Sequence, residues 1–233
     1  MSEKWKNDGG HGGTDPGAVA NGIKEKEYTL EAALYVDKRL KEHGIDSGLT
    51  RDKDITLEPN ARTAVVRASK APFGLSHHYN AGGGAGAEFI HSIHSDGKFE
   101  NMLADEFKRA GYPVRRVFCK AGKNPAKDYY YMHRETGFCR MTIVEYDFVD
   151  GPNAEKLKDR KYRECMYECV VRAVCRQEGK AYKPVEQPKL KPQEAPKKGL
   201  YKVQVGAFGD KSNADRLAKE LEGKGYKTYI VQE

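Results

Sequence analysis

The side chains best suited to chemistry in this 233-residue chain are a few histidines and glutamates set in unusual surroundings. His11 sits in the glycine-rich turn Asp8-Gly9-Gly10-His11-Gly12-Gly13-Thr14-Asp15-Pro16-Gly17-Ala18. A second imidazole comes from the adjacent pair in Leu75-Ser76-His77-His78-Tyr79-Asn80-Ala81. Glu25 or Glu27 offers a carboxylate from Gly22-Ile23-Lys24-Glu25-Lys26-Glu27, and Glu145 ends the apolar run Met141-Thr142-Ile143-Val144. Two imidazoles and one carboxylate make a three-ligand set that leaves a metal position open, which separates a hydrolytic zinc from a structural one. A further carboxylate beside such a centre suits proton transfer. Zinc would polarise a bound carbonyl and lower the pKa of bound water to about 7. No Gly-Lys-Ser/Thr follows the glycines, so the turn is not a phosphate cradle of the P-loop kind.

On a strand His77 and His78 face opposite sides, so one of them at most is a ligand, and the residues alone do not say which. His91, His94 and His133 stand outside these motifs and are left unassigned.

These segments resemble the zinc-dependent N-acetylmuramoyl-L-alanine amidases of the Amidase_3 family, from about Asp8 to about Arg176. That family has an Asp-Pro-Gly-His-Gly-Gly turn, a Glu-Lys pair at a helix start, a Ser-x-His-x-Asn-Ala strand end and a late Val-Glu, and all four occur here in the same order. The resemblance implies His11, Glu25 and His78 as ligands of Zn2+ and Glu145 as the acid/base. It thereby selects His78 over His77 and Glu25 over Glu27. It also implies substrate contacts from Asn80 and from Arg67. The implied activity is hydrolysis of the amide between N-acetylmuramic acid and L-alanine in bacterial peptidoglycan. A zinc peptidase acting within the stem peptide and a non-catalytic wall-binding protein are the alternatives. Two positions depart from the pattern: Gly9 replaces the family's proline, and Glu145-Tyr146-Asp147-Phe148 replaces its Glu-x-Gly-Phe.

The elements that must position these residues alternate. Helical periodicity covers 28–43, 59–70, 99–110 and 153–177, and strand-like runs cover 45–50, 73–78, 87–91, 114–119 and 141–146. Lys4-Trp5-Lys6-Asn7 is barely apolar for a first strand. Alternation of this kind predicts an α/β fold with a mainly parallel twisted sheet and helices on both faces. Such sheets hold ligands at the carboxyl ends of their strands, where His11, His78 and Glu145 fall. Glu25 is expected in a loop ahead of the first long helix.

Composition sets the bounds. Charged residues are 32% of the chain and hydrophobic ones 38%, and no apolar run approaches the ~20 residues of a membrane span. No secretory leader opens the sequence, so the expectation is a protein that is cytoplasmic until release and then acts on the wall, as phage endolysins and sporulation autolysins do. The formal charge of +7 calls for an anionic partner. The basic residues are dispersed and no nucleic-acid-binding motif accompanies them, which leaves anionic cell wall as the fitting partner and excludes nucleic acid. Five cysteines, an odd number, argue against a disulfide framework. Cys165, Cys169 and Cys175 recur at helical spacing and read as a buried stripe.

The catalytic domain is expected over residues 1–180. Pro184, Pro188, Pro192 and Pro196 then mark an extended linker over 181–199. Residues 200–233 form a strand-helix-strand pattern, with strands at 201–208 and 226–231 and a helix capped by Ser212. Val203-Gln204-Val205-Gly206-Ala207-Phe208, Asn213-Ala214, Leu217 and Leu221 resemble half of a SPOR domain, which implies binding to peptidoglycan glycan. A unit this short falls below the ~40 residues under which domains need outside help to be stable. A homodimer through this module is therefore expected.

Overall fold

The computed structural model describes residues 3–185 and 205–230. The chain divides into two compact units, Met1–Pro184 and Val185–Glu233. In the first unit the elements follow as β1 (Trp5–Gly9), β2 (Val19–Ala20), β3 (Ile23–Lys24), α1 (Glu25–Glu42), β4 (Ser47–Leu49), α2 (Pro59–Ser69), β5 (Phe73–Asn80), β6 (Ala87–His91), α3 (Lys98–Arg109), β7 (Val114–Cys119), α4 (Tyr131–Arg134), β8 (Arg140–Phe148), α5 (Ala154–Leu157) and α6 (Arg160–Gln177).

Six strands form one sheet in the order β4-β1-β5-β8-β6-β7. Every neighbouring pair is parallel except β6 with β8, which is antiparallel. The main core packs α1, α3 and α6 on one face, with Trp5, Leu75, Phe89, Leu103, Val144 and Val170 buried together. On the other face a smaller cluster joins Val66 of α2 to Met132, Cys139 and Met141. Both faces are therefore covered, as an α/β sheet requires.

β1 is a regular strand despite its polar sequence. It lies between β4 and β5, so all five residues are buried. All but one of the polar groups have a partner there: Lys6 pairs with Glu3, Asn7 Oδ1 faces His77 Nε2, and Asp8 accepts from Thr50, Ser76 and Arg62, while Asn7 Nδ2 is buried without one. Buried polar groups are tolerated once satisfied in this way.

Local differences from the expected elements have simple causes. α1 starts at Glu25, so this residue opens the helix and is not in a preceding loop. The helix expected over 153–177 is two helices, because the Asp159 side chain accepts from Lys161 N and caps α6 afresh. Cys169 and Cys175 are buried, but Cys165 is exposed on the outer side of α6. Residues 181–183, expected in the linker, belong to the first unit. The Tyr182 ring stacks on His43 at 5.6 Å and its hydroxyl donates to Glu168 at 2.5 Å, while Lys183 N donates to His43 Nε2 at 2.9 Å.

The second unit contains α7 (Lys211–Gly223), capped by Asp210 accepting from Ser212 N, so Asp210 and not Ser212 is the cap. Of the expected flanking strands, 201–204 and 231 lie outside the described residues, and 205–208 and 226–230 carry no strand. Phe208, Tyr226, Tyr229 and Ile230 are exposed. A lone pair of strands with one helix has too little apolar cover to hold a sheet together. Linker residues 186–199 also lie outside the described residues.

Candidate metal and catalytic site

The turn after β1 is held from beneath. Asp8 is fully buried, with Oδ1 accepting from Thr50 Oγ1 and Arg62 Nη1, each at 2.6 Å, and Oδ2 from Ser76 Oγ at 2.7 Å. Burial alone would raise its carboxyl, but the Arg62 guanidinium and the hydroxyl donors hold it below the usual carboxylate range. Arg62 also donates to the carbonyls of Gly9 and His11, and Arg51 to those of Gly9 and Gly10. These bonds fix His11 in the left-handed conformation, at φ 60°, which a non-glycine residue adopts only when its surroundings impose it.

Three elements meet above this turn. His11 Nε2 lies 3.1 Å from Glu25 Oε2, and His78 Nδ1 lies 3.0 Å from Glu25 Oε1. The two imidazole rings meet edge to face at 5.0 Å. One ligand atom from each of His11, Glu25 and His78 lies within 4.8 Å of the others. Backbone N–H groups of Ala18 and Tyr79 donate to the two Glu25 oxygens and fix the carboxylate plane. Asp15 Oδ2 engages His11 Nδ1 at 2.8 Å, which turns Nε2 toward the group. Glycines are needed here for space as well as for turning. A Cβ on Gly10 would collide with the His78 ring, and one on Gly17, already at φ 67°, would lie 2.6 Å from Glu25 Oε2.

The donor set suits a divalent transition ion: two imidazoles and a carboxylate converge, with His11 oriented by Asp15 and Glu25 by the backbone N–H groups of Ala18 and Tyr79. Burial would lower the His78 imidazole, but its hydrogen bond to Glu25 and that carboxylate's charge outweigh this and raise it to about 9. Burial would likewise raise Glu25, yet the bonds from His11 and His78 hold it far below the ordinary carboxylate range. Glu27 is exposed and pairs with Lys24, so the geometry separates the two glutamates. His77 faces the opposite side of β5. There its Nδ1 meets the Tyr146 hydroxyl at 2.9 Å, and burial pushes it down to about 3.

Glu145 stands opposite His78 in the β5–β8 register. Its Oε2 is closed to solvent and has no hydrogen-bond partner. Burial raises the carboxyl to about 7, against the lowering effect of His78. Glu145, His11 and His78 line a cleft of about 300 Å³, which Arg62, Tyr130 and Tyr131 also line. Neither Asn80 nor Arg67 is among the lining residues. Asn80 Nδ2 donates to Glu88 at 3.1 Å, and Arg67 donates to the Glu135 carbonyl. Arg62 is thus the cleft arginine of α2. Its signal in the sequence was only that it lies on the same helix as Arg67.

Residues 8–176 match the family described as N-acetylmuramoyl-L-alanine amidase. The chain belongs to the N-acetylmuramoyl-L-alanine amidase family. The N-acetylmuramoyl-L-alanine amidase CwlM of Bacillus licheniformis is 33% identical over 230 residues, covering 96% of this chain and 83% of that protein. The sporulation-specific N-acetylmuramoyl-L-alanine amidase of Bacillus subtilis is 33% identical over 232 residues, covering 96% and 82%. Among solved structures, Cwp6 from Clostridium difficile superposes with a TM-score of 0.68 at 28% identity, over 75% of this chain and 29% of that one. The catalytic domain of CwlV from Bacillus (Paenibacillus) polymyxa shares the fold with a TM-score of 0.67 at 24% identity, over 76% of this chain and 98% of that one. Residues 197–233 match the SPOR domain. This amidase is therefore a hydrolase of bacterial peptidoglycan carrying a second, wall-associated segment. Among its described residues no helix is long and apolar enough to cross a membrane.

Proposed function

We propose that this amidase cuts between the lactyl group of N-acetylmuramic acid and the L-alanine of the stem peptide, with Zn2+ held by His11, Glu25 and His78 and with Glu145 as acid/base. The observation that carries the reading is the partnerless Glu145 Oε2, buried in the same cleft as the three converging donors. Zn2+ bound there supplies Lewis acidity toward the scissile carbonyl and acidifies water.

The protein's own groups do the rest. Glu145 takes a proton from the attacking water and delivers it to the departing L-alanine amine, so one carboxyl serves as base and then as acid. A pKa near operating pH suits both halves of that task. Asp15 orients His11, the backbone N–H groups of Ala18 and Tyr79 orient Glu25, and Arg51 with Arg62 keeps the His11 turn rigid. Tyr130 and Tyr131 supply an aromatic wall to the cleft. Asn80 and Arg67 would reach substrate only if it extended beyond the cleft.

The SPOR-like segment is proposed to bind wall glycan, and two chains to complete one module through their exposed apolar residues, giving a homodimer. End-group labelling of digested sacculi tests the bond choice. New α-amines on L-alanine, with sugar reducing ends unchanged, are expected; amines at another stem residue would reassign the enzyme as a stem peptidase.

A further inference from the structure

Four strands carry a row of register partners across the sheet: His78 of β5 with Glu145 of β8, Glu145 with Glu88 of β6, and Glu88 with Arg116 of β7. Residues paired in this way point to one face of a sheet. The row begins in the cleavage cleft, which His78 and Glu145 line, and ends two strands away at the sheet edge. At that end the β6–β7 register slips. Ala87 pairs with Val114 but Glu88 with Arg116, so Arg115 is an extra residue in β7. A bulge of this kind re-aims side chains, and here two adjacent guanidinium groups reach one carboxylate. Arg115 Nη1 donates to Glu88 Oε1, and Arg116 donates to the same oxygen through Nε at 2.9 Å and to Oε2 through Nη2 at 3.4 Å. Asn80 Nδ2 also donates to Oε2, at 3.1 Å.

One anion facing two cations leaves a positive charge uncompensated. The Glu88 side chain is 2% exposed and those of Arg115 and Arg116 are 46% and 50% exposed, so the surplus charge faces solvent. Arg115 Nη2 and Arg116 Nη1 make no hydrogen bond among the described residues. Each guanidinium also lies over an aromatic ring, Arg115 over Phe148 at 5.5 Å and Arg116 over Phe118 at 4.0 Å. Guanidinium groups held in this way are already ordered before they bind, which suits recognition of a planar anion. Neutralising Glu88 needs only one of them.

Neighbouring strands lie about 4.8 Å apart, so the Arg116 backbone is about 10 Å from that of Glu145, a distance an extended peptide covers in about three residues. On the β1 side the cleft carries Asp15 and Glu58, which repel a carboxylate and direct an anionic peptide the other way. We propose that Arg115 and Arg116 receive a free carboxylate of the stem peptide, two or three residues beyond the amide that Glu145 serves. They determine specificity and do not touch the reacting atoms. The inference rests on the stem peptide being part of the substrate, as proposed above.

The probe is purified sacculi stripped of phosphate polymers by acid, with carboxylates left free or amidated by carbodiimide and ammonia; release of new α-amines gives the rate. For the full chain, amidation should raise the apparent KM about tenfold, as loss of one hydrogen bond between charged groups does, with kcat little changed. Arg116→Gln should raise KM equally on free sacculi and make it indifferent to amidation. Arg115 stays beside Glu88 in that variant, so the fold is expected to hold. Lys108→Gln removes the same charge from an exposed position on α3, which covers the other face of the sheet, and should behave as the parent. A parent indifferent to amidation overturns the proposal without any variant. An Arg116→Gln enzyme that still responds to amidation overturns it too, as does a Lys108→Gln enzyme that matches Arg116→Gln, which would make overall charge the cause. A KM that responds to stripping of the phosphate polymers and not to amidation would make the anion a wall phosphate, and equally overturns it. The residue that bears the new amine reports separately on the bond cut, so failure of the amidase reading and failure of this inference are told apart.

Discussion

His78 and Glu145 are register partners on the parallel strands β5 and β8, so their side chains leave the same face of the sheet side by side. One is bonded to Glu25 and the other is left without a partner. In the proposed mechanism that asymmetry distinguishes a group that would hold the ion from a group that would transfer protons.

Glu145→Gln keeps the shape and removes the proton-transfer function. Turnover on purified sacculi should fall by about 10²–10⁴-fold, the range for loss of a general acid/base. Zinc content by mass spectrometry should stay at one ion per chain. A variant of near-native rate would remove Glu145 from the reaction.

His78→Ala should lose metal and activity together, since the remaining two ligands leave the ion underheld. In the unaltered enzyme a chelator should abolish lysis, and added Zn2+ should restore it. Full activity in chelator would show that the three converging side chains hold no functional ion.

Gly10→Ala tests the space beneath His78. The added methyl would meet the imidazole ring, which must turn away from Glu25. We expect the circular dichroism spectrum of the parent, with zinc affinity and turnover both sharply reduced. A fully active variant would mean that the turn adjusts freely, against the clamp that Arg51 and Arg62 form on its carbonyls.

Asp8 links stability to acid. Its folded carboxyl titrates below its ordinary value, so the unfolded chain takes up the proton first as pH falls. The stabilisation is complete above about 3.9, and is lost as pH drops from there through the folded pKa. Asp8→Asn leaves buried Arg62 without its counter-charge and should cost about 3–5 kcal/mol at pH 7. Denaturant titrations at pH 7 and pH 3 should show a smaller loss for the variant than for the parent on acidification. Equal losses would discard the linkage.

The SPOR-like unit exposes Phe208, Tyr226, Tyr229 and Ile230. Light scattering should report a dimer for the full chain and a monomer for a chain ending at Pro184, the boundary that keeps Tyr182 on His43. A full-length monomer at tens of micromolar would end the dimer proposal, and a truncated dimer would move the interface to the catalytic unit.

Much of the fold was legible because its elements carry local signals. α3 shows its apolar positions at helical spacing and β8 follows an apolar run, so alternation alone indicated an α/β sheet. His11 and Glu145 stood out as candidates by their neighbours in the chain, while the choice of Glu25 over Glu27 came from the Glu-Lys pair of the resembled family. The break before α6 was missed because a single capping aspartate, Asp159, restarts a helix whose periodicity continues across the gap.

What only the tertiary structure decided depends on partners far away in sequence. β1 is buried in spite of Asn7 and Asp8 because β4 and β5 flank it and Thr50, Arg62, Ser76 and His77 engage those two side chains, while Lys6 pairs locally with Glu3. His77 and His78 are equivalent in the chain and opposite in the fold, since the pleat sends one toward Tyr146 and the other toward Glu25. Arg62 lines the cleft and Arg67 does not, because α2 turns only one of them toward the His11 carbonyl. Residue types and spacing determined the available chemistry. Register between β5 and β8 decided that Glu145 would sit beside His78, because pairing across strands is a non-local contact that periodicity within one strand cannot encode.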